Sequence, residues 1–141
     1  MNAEEIKKSL EGRGAVMEVG SPNDAYAKYF TGRSWLINLS EDKDIPVYNV
    51  TFENGAHTFW HIHHGTSQVL IVESGRGYLQ YEGKEPQLLL PGDVVTIPPE
   101  AKHWHGAAPG CNFQHISLSK SGEGVSNEWL EPVDEKEFEK L

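Results

Sequence analysis

With 141 residues, a net charge of −9 and a single cysteine, the chain is sized for one domain whose core needs no disulfide. An acidic protein argues against nucleic acid as a partner, because phosphates call for a basic face. No stretch is apolar enough to span a bilayer, the N-terminus lacks a signal-peptide pattern, and Cys111 has no second cysteine to pair with. A soluble cytoplasmic protein is the expectation.

Residues 1–34 read as an extension packed on the main domain. AEEIKKSLEG and NDAYAKYF each suit a short helix, the second opened by a Ser-Pro-Asn-Asp turn, with Gly12, Gly14 and Gly20 breaking the segment between them. From Trp35 the pattern changes. SWLINL, VYNVTF, HTFWHIH, SQVLIVES, GYLQYEG, PQLLL, DVVTIP, AKHWHGA and NFQHISLS are short and rich in β-branched and aromatic residues. Turn signals separate them at Glu53-Asn54-Gly55, Ser74-Gly75, Glu82-Gly83-Lys84 and Pro91-Gly92-Asp93. Many short strands without long helices predict an all-β antiparallel sandwich or barrel over 35–120. Residues 121–141 form a tail, with one short helix in VDEKEFEKL.

Five of the seven histidines fall in two of these strands: His57, His61 and His63 in HTFWHIH, and His103 and His105 in AKHWHGA. Side chains alternate faces along a strand. In HTFWHIH that puts His57, Phe59, His61 and His63 on one face and Thr58, Trp60 and Ile62 on the other. Gln68, Leu70 and Val72 share a face in the next strand. His103, His105 and Ala107 point one way from AKHWHGA, and Trp104 the other. Cys111, Phe113, His115, Ser117 and Ser119 line up on the last strand. Closed into a barrel, these faces give an apolar interior with a few converging imidazoles, the profile of a ligand or metal pocket. His61 and His63 alone fit a metal chelate or a satisfied pair of core histidines. Gln68 and His103 extend the set to three imidazoles and one amide oxygen, a plausible shell for a first-row dication. His57 reads as a rim residue and His64 as facing away. Trp60, Ile62 and Trp104 would form an apolar patch on the opposite face, which suggests a homodimer.

Two motifs carry a family resemblance. Gly55-x5-His61-x-His63-x4-Gln68-x6-Gly75 resembles the first cupin motif, with Gln where most cupins have Glu, and Gly92-x5-Pro98-x4-His103 resembles the second. The likeness implies a cupin double-stranded β-helix, or jelly roll, with short terminal helices. It implies metal ligation by His61, His63, Gln68 and His103. More narrowly, FTGRSWLINL, VTFENGAHTFWHIH, SQVLIV, PGDVVTIPPEAKHWHGA and QHISLS resemble the small single-domain cupins related to the manganese-dependent bacterial hydroxynitrile lyases, also named carboxymuconolactone-decarboxylase-associated cupins. That group uses Gln in place of the motif Glu. Its pocket holds two histidines that do not ligate, here His105 and His115. The resemblance makes manganese the first choice of metal, with iron, nickel or zinc as alternatives. Glu100 stands where the motif usually has Gly, and Tyr48 where the group has a small residue. The pocket wall is expected from Tyr48, Val50, Phe59, Phe113 and Ser119.

Neutral ligands leave a dication's charge almost undiminished, so the site suits Lewis-acid activation of a small hydroxyl or carbonyl compound. His105 and His115 are the candidate general bases. The reading that follows is a lyase acting on a small α-hydroxy or enol substrate. The alternatives are a non-catalytic cupin that senses or stores a small ligand, or a cupin dioxygenase or isomerase. No Lys or Arg sits on the histidine-bearing strand faces, which points to a weakly charged small molecule as the partner, without nucleic acid or membrane.

Overall fold

The computed structural model describes residues 1–10 and 16–141. The break foreseen at Gly12 and Gly14 lies outside them. The first helix forms as α1 (Ala3–Leu10), while NDAYAKYF winds into a 3-10 turn over Asp24–Tyr29. The strands are β1 (Ser21–Pro22), β2 (Phe30–Thr31), β3 (Ser34–Asn38), β4 (Val47–Phe52), β5 (His57–Thr58), β6 (His61–His64), β7 (Gln68–Gly75), β8 (Gly77–Tyr81), β9 (Gln87–Leu89), β10 (Val94–Ile97), β11 (His103–Ala107), β12 (Phe113–Leu118) and β13 (Ser126–Trp129). A last turn of helix, α2, spans Glu135–Phe138.

All pairings are antiparallel. One sheet runs β1-β3-β4-β12-β7-β10, and the other runs β13-β6-β11-β5-β2 with β8 and β9 joined beyond β11. The two face each other as the jelly roll the strand pattern implies. Alternation fills the space between them: Val50 and Phe52 from β4, Leu70 and Val72 from β7, Leu79, Leu89, Ile97, Ala107 and Phe113 form one buried cluster. The histidines adjoin this cluster: the Phe52 ring lies 5.5 Å from that of His115 and 6.0 Å from that of His105, and Val50 borders their cavity.

The outer faces are also covered. Ile6 of α1 packs with Val19 and Trp35 against the back of the first sheet. On the second sheet, Val133 and Phe138 cover Trp104, which is fully buried. Asp134 caps α2 by accepting from the backbone N–H groups of Lys136 (2.9 Å) and Glu137 (3.2 Å), which fixes the turn that brings Phe138 down. Trp60 is half-buried beside the same cluster, with the Lys102 ammonium 5.6 Å above its ring. The chain's own C-terminal segment therefore covers Trp104 and borders Trp60, while Ile62 lies half-buried opposite Glu128 of β13. Trp104 itself offers no surface to a second subunit.

Two local departures from the strand pattern matter below. HTFWHIH is not one strand: Phe59 and Trp60 step out of the sheet, their N–H groups donating to Tyr29 (2.8 Å) and Glu131 (2.9 Å) carbonyls. The tail also contributes β13, which pairs with β6 in the register Asn127↔His63 and Trp129↔His61.

Candidate metal centre

β6 and β11 are hydrogen-bonded neighbours, paired at His61↔His103, so their inward side chains start out side by side. His61 donates Nδ1–H to the Phe59 carbonyl at 2.8 Å, and His103 donates Nδ1–H to the Ala101 carbonyl at 2.9 Å. A carbonyl only accepts, so the hydrogen sits on Nδ1 in both rings and each Nε2 presents a lone pair. His103 Nε2 is buried and has no hydrogen-bond partner among the described residues. The two rings lie 4.2 Å apart. His105, two residues on from His103, completes a group whose nitrogens lie within 4.8 Å of one another, close enough to hold a metal ion.

His63 completes the wall. Its Nδ1 lies 2.7 Å from Asn127 Oδ1, and its Nε2 lies 2.8 Å from Gln68 Oε1. Gln68 donates its amide N–H to Ser117 Oγ at 2.7 Å, which turns its oxygen inward. A neutral imidazole has one N–H, yet both nitrogens of His63 meet oxygen. A cation between Nε2 and the Gln68 oxygen resolves that conflict. The orphaned Nε2 of His103 and this facing pair of acceptors fit a divalent metal, and the donor set of imidazoles and an amide oxygen suits a first-row ion.

Behind the ligand wall, His105 Nδ1 lies 3.1 Å from His115 Nε2. The His105 backbone N–H donates to Thr58 Oγ1 at 3.2 Å. Burial pushes His61, His103, His105 and His115 towards the neutral form. His103 and His115 are pushed down to about 4, chiefly by burial. His61 and His105 are held well below the ordinary histidine value by burial and by the neighbouring imidazoles. Four uncharged rings with available lone pairs are what ligation and proton abstraction both require.

The site opens into a cavity of about 240 Å³. Tyr48, Val50 and Ser119 line it. Phe59 and Phe113 do not. Phe59 stands in the stretch that leaves the sheet, and Phe113 is buried in the apolar cluster behind His115, 5.5 Å from its ring. The same step-out shifts the alternation by one, so Thr58 faces the cavity and His57 the back of the sheet. His64 is exposed, and its ring meets Glu100 on one nitrogen and Glu128 on the other (2.8 Å). Residues not foreseen from the sequence also line the cavity: Tyr26, Asn127 and Trp129, with Lys120 bringing a cation to it. Trp129 stacks on Tyr29 at 4.8 Å and lies 4.7 Å from the His61 ring. Ser117 also lines the cavity, as its place in the alternation of β12 allows. A larger depression of about 730 Å³ by Glu53, Arg76 and Cys111 lies at the other end of β4 and β12 and touches no histidine.

Residues 48–110 match the cupin domain family. The chain is 38% identical to an (R)-mandelonitrile lyase of Granulicella tundricola over 115 residues, 79% of this chain and 87% of that enzyme. This protein belongs to the cupin family. Among solved structures, this cupin is similar to a cupin-like protein of Thermotoga maritima, at 42% identity and TM-score 0.81, covering 89% of this chain and 95% of that one. A DMSP lyase of Ruegeria pomeroyi, at 18% identity and TM-score 0.58 over 80% of this chain and 57% of that one, shares the fold.

Proposed function

We propose that this cupin is a metal-dependent lyase that breaks or forms a C–C bond beside the hydroxyl-bearing carbon of a small α-hydroxy compound, as a hydroxynitrile lyase does. His61, His63, Gln68 and His103 hold the ion, and His105 with His115 carries the proton. Manganese is the first choice of metal. The likeness to a mandelonitrile lyase over most of the chain supports the reaction class. The observation that carries the reading is the contact of His105 Nδ1 with His115 Nε2, 3.1 Å apart and buried directly beside the converging ligands.

A divalent ion in this shell supplies Lewis acidity, which lowers the pKa of a substrate hydroxyl. The rest falls to the protein. The cavity, walled by Tyr48, Val50 and Trp129, holds a small, partly apolar molecule beside histidines that are themselves buried. His105 accepts the hydroxyl proton as a neutral imidazole, and His115 shares that charge through their common hydrogen bond. The C–C bond then breaks with its electron pair on the leaving carbon, which takes up the proton. A carbonyl compound and a protonated carbon acid are the products, and the reverse sequence condenses them. A depressed imidazole pKa makes a weak base, so the chemistry needs the hydroxyl acidified first, consistent with four uncharged ligands.

The test is metal analysis of protein purified without added metal, followed by assay of mandelonitrile cleavage and of its synthesis from benzaldehyde and hydrogen cyanide. The expected result is a bound transition metal, activity lost on chelation, and recovery with Mn²⁺. Protein that binds no metal, or that turns over neither direction when loaded with Mn²⁺, would sink the proposal.

A further inference from the structure

The ligand histidines are not anchored alike. His61 and His103 hand Nδ1–H to backbone carbonyls two residues earlier on their own chain segments, at Phe59 and Ala101. Those acceptors survive any side-chain substitution. His63 has no such carbonyl. Its Nδ1 meets the side chain of Asn127, delivered by β13, at 2.7 Å. We infer that Asn127 is a positioning residue of the metal centre: its amide oxygen fixes His63 as the Nδ1–H tautomer and so frees Nε2 to ligate.

The placement follows from the register. Asn127 lies directly opposite His63 on the ladder between β13 and β6, and the residues after it hold the strand in place. Glu128 meets the exposed His64, and Trp129 is clamped between the His61 ring and Tyr29, parallel to Tyr29 within 2°. Without an acceptor at Nδ1 the two tautomers of a neutral imidazole are close in energy. Gln68 Oε1, 2.8 Å from Nε2, would then favour the wrong one, with Nε2–H donated to Gln68 and the lone pair turned away from the site. Asn127 decides between them. It lies outside residues 48–110, so the matched cupin domain does not contain it. The inference rests on the metal centre proposed above but concerns a residue to which that proposal gives no role.

Partners of this kind are worth about 10–100-fold in metal affinity. Asn127 is exposed, so water can replace part of its role, and about 10-fold is expected. The experiment is Mn²⁺ titration of the full chain, read by the loss of the free-ion EPR signal. Asn127→Leu should raise the Mn²⁺ dissociation constant about 10-fold, and Asn127→Asp, which keeps an acceptor oxygen, should bind at least as tightly as wild type. Ser126→Ala, one residue earlier and exposed, should leave the constant unchanged. An Asn127→Leu constant within about twofold of wild type overturns the inference, as does an Asn127→Asp variant as weak as Asn127→Leu, which would mark a merely structural role. Wild-type protein that takes up no Mn²⁺ overturns the metal centre and this inference with it, whereas intact wild-type binding with an indifferent Asn127→Leu overturns this inference alone. A second readout needs no variant. In metal-free wild-type protein, ¹⁵N shifts should report His63 as the Nδ1–H tautomer, and Nε2–H there overturns the assignment.

Discussion

His57 and His61 come from one stretch of sequence, and each is 1% exposed. Each donates Nδ1–H to the carbonyl two residues back, at 2.7 and 2.8 Å, and so keeps Nε2 as a bare acceptor. Their surroundings differ completely. His61 Nε2 belongs to the cavity with His103 and His105. The His57 ring lies on the other side of the sheet, 4.0 Å from the Phe138 ring and with Nε2 3.8 Å from the exposed Glu135 carboxylate. A buried imidazole with a free lone pair is therefore not in itself a ligand. What makes the site is convergence, and convergence here depends on Phe59 and Trp60 leaving the sheet between the two histidines.

The comparison breaks most sharply on metal content. His103→Ala should lower metal affinity by more than the roughly 10–100-fold that an outer partner is worth, because it removes a lone pair aimed at the ion. His57→Ala should leave affinity unchanged. Equal losses in both variants, measured by metal analysis after dialysis, would put His57 in the site and refute the distinction. Next in size is turnover. His105→Ala should keep its metal and lose about 10²–10⁴-fold in rate, the usual worth of a positioned base. Unchanged turnover would pass the proton role to His115, and lost metal would make His105 a ligand.

Stability separates the pair from the other side. Truncating His57 to Ala opens a cavity under Phe138 and should lower unfolding free energy by about 2 kcal/mol. Burial holds the His57 pKa below its ordinary value. For a cation-forming group depressed in the folded state, the unfolded chain takes up its proton first. Its contribution is intact above the unfolded value of 6.5 and declines as pH falls below it. Urea unfolding should therefore show His57→Phe with a shallower acid limb than wild type. A parallel acid limb would mean that His57 does not titrate with unfolding.

How far the sequence reaches follows from the same residues. The strands from Trp35 onward were legible because β-branched and aromatic runs are cut by turns whose chemistry is local. Gly55, Gly75 and Gly92 all take positive φ, as the motif spacing requires. The fold brings His61, His63, Gln68 and His103 side by side. The alternation rule failed where its premise of an unbroken strand failed, at Phe59 and Trp60. The hydrogen bonds that pull those residues out go to Tyr29 and Glu131, distant in sequence, and no local pattern announces them. β13 was missed for the same reason. Ser126-Asn127-Glu128-Trp129 is short and polar, and it is a strand only because β6 has a free edge beside it. The tail therefore supplies both the cover over Trp104 and a wall of the site.

The smallest expected effect concerns Glu100, at the turn that follows β10. Its φ is +71°, a conformation that favours Gly, the residue the cupin motif usually has there. Its backbone N–H donates to the His63 carbonyl at 2.9 Å, a bond that Gly would keep. Glu100→Gly should relieve about 1 kcal/mol of backbone strain. Against that stands the contact between the Glu100 carboxylate and the exposed His64 ring, whose pKa is raised by Glu128 and then by Glu100. A histidine raised in the folded state contributes fully below its unfolded value, and the contribution is lost as pH rises through the folded one. The gain from Glu100→Gly should accordingly be smaller at acid pH and approach its full size above the titration of His64. Thermal unfolding at about pH 5.5 and about pH 8.5 tests this, with a gain of a few degrees expected at the higher pH. A gain that is larger at the acid end would mean that the Glu100 carboxylate does not stabilise the protonated ring, and no gain at either pH would mean that the turn is unstrained.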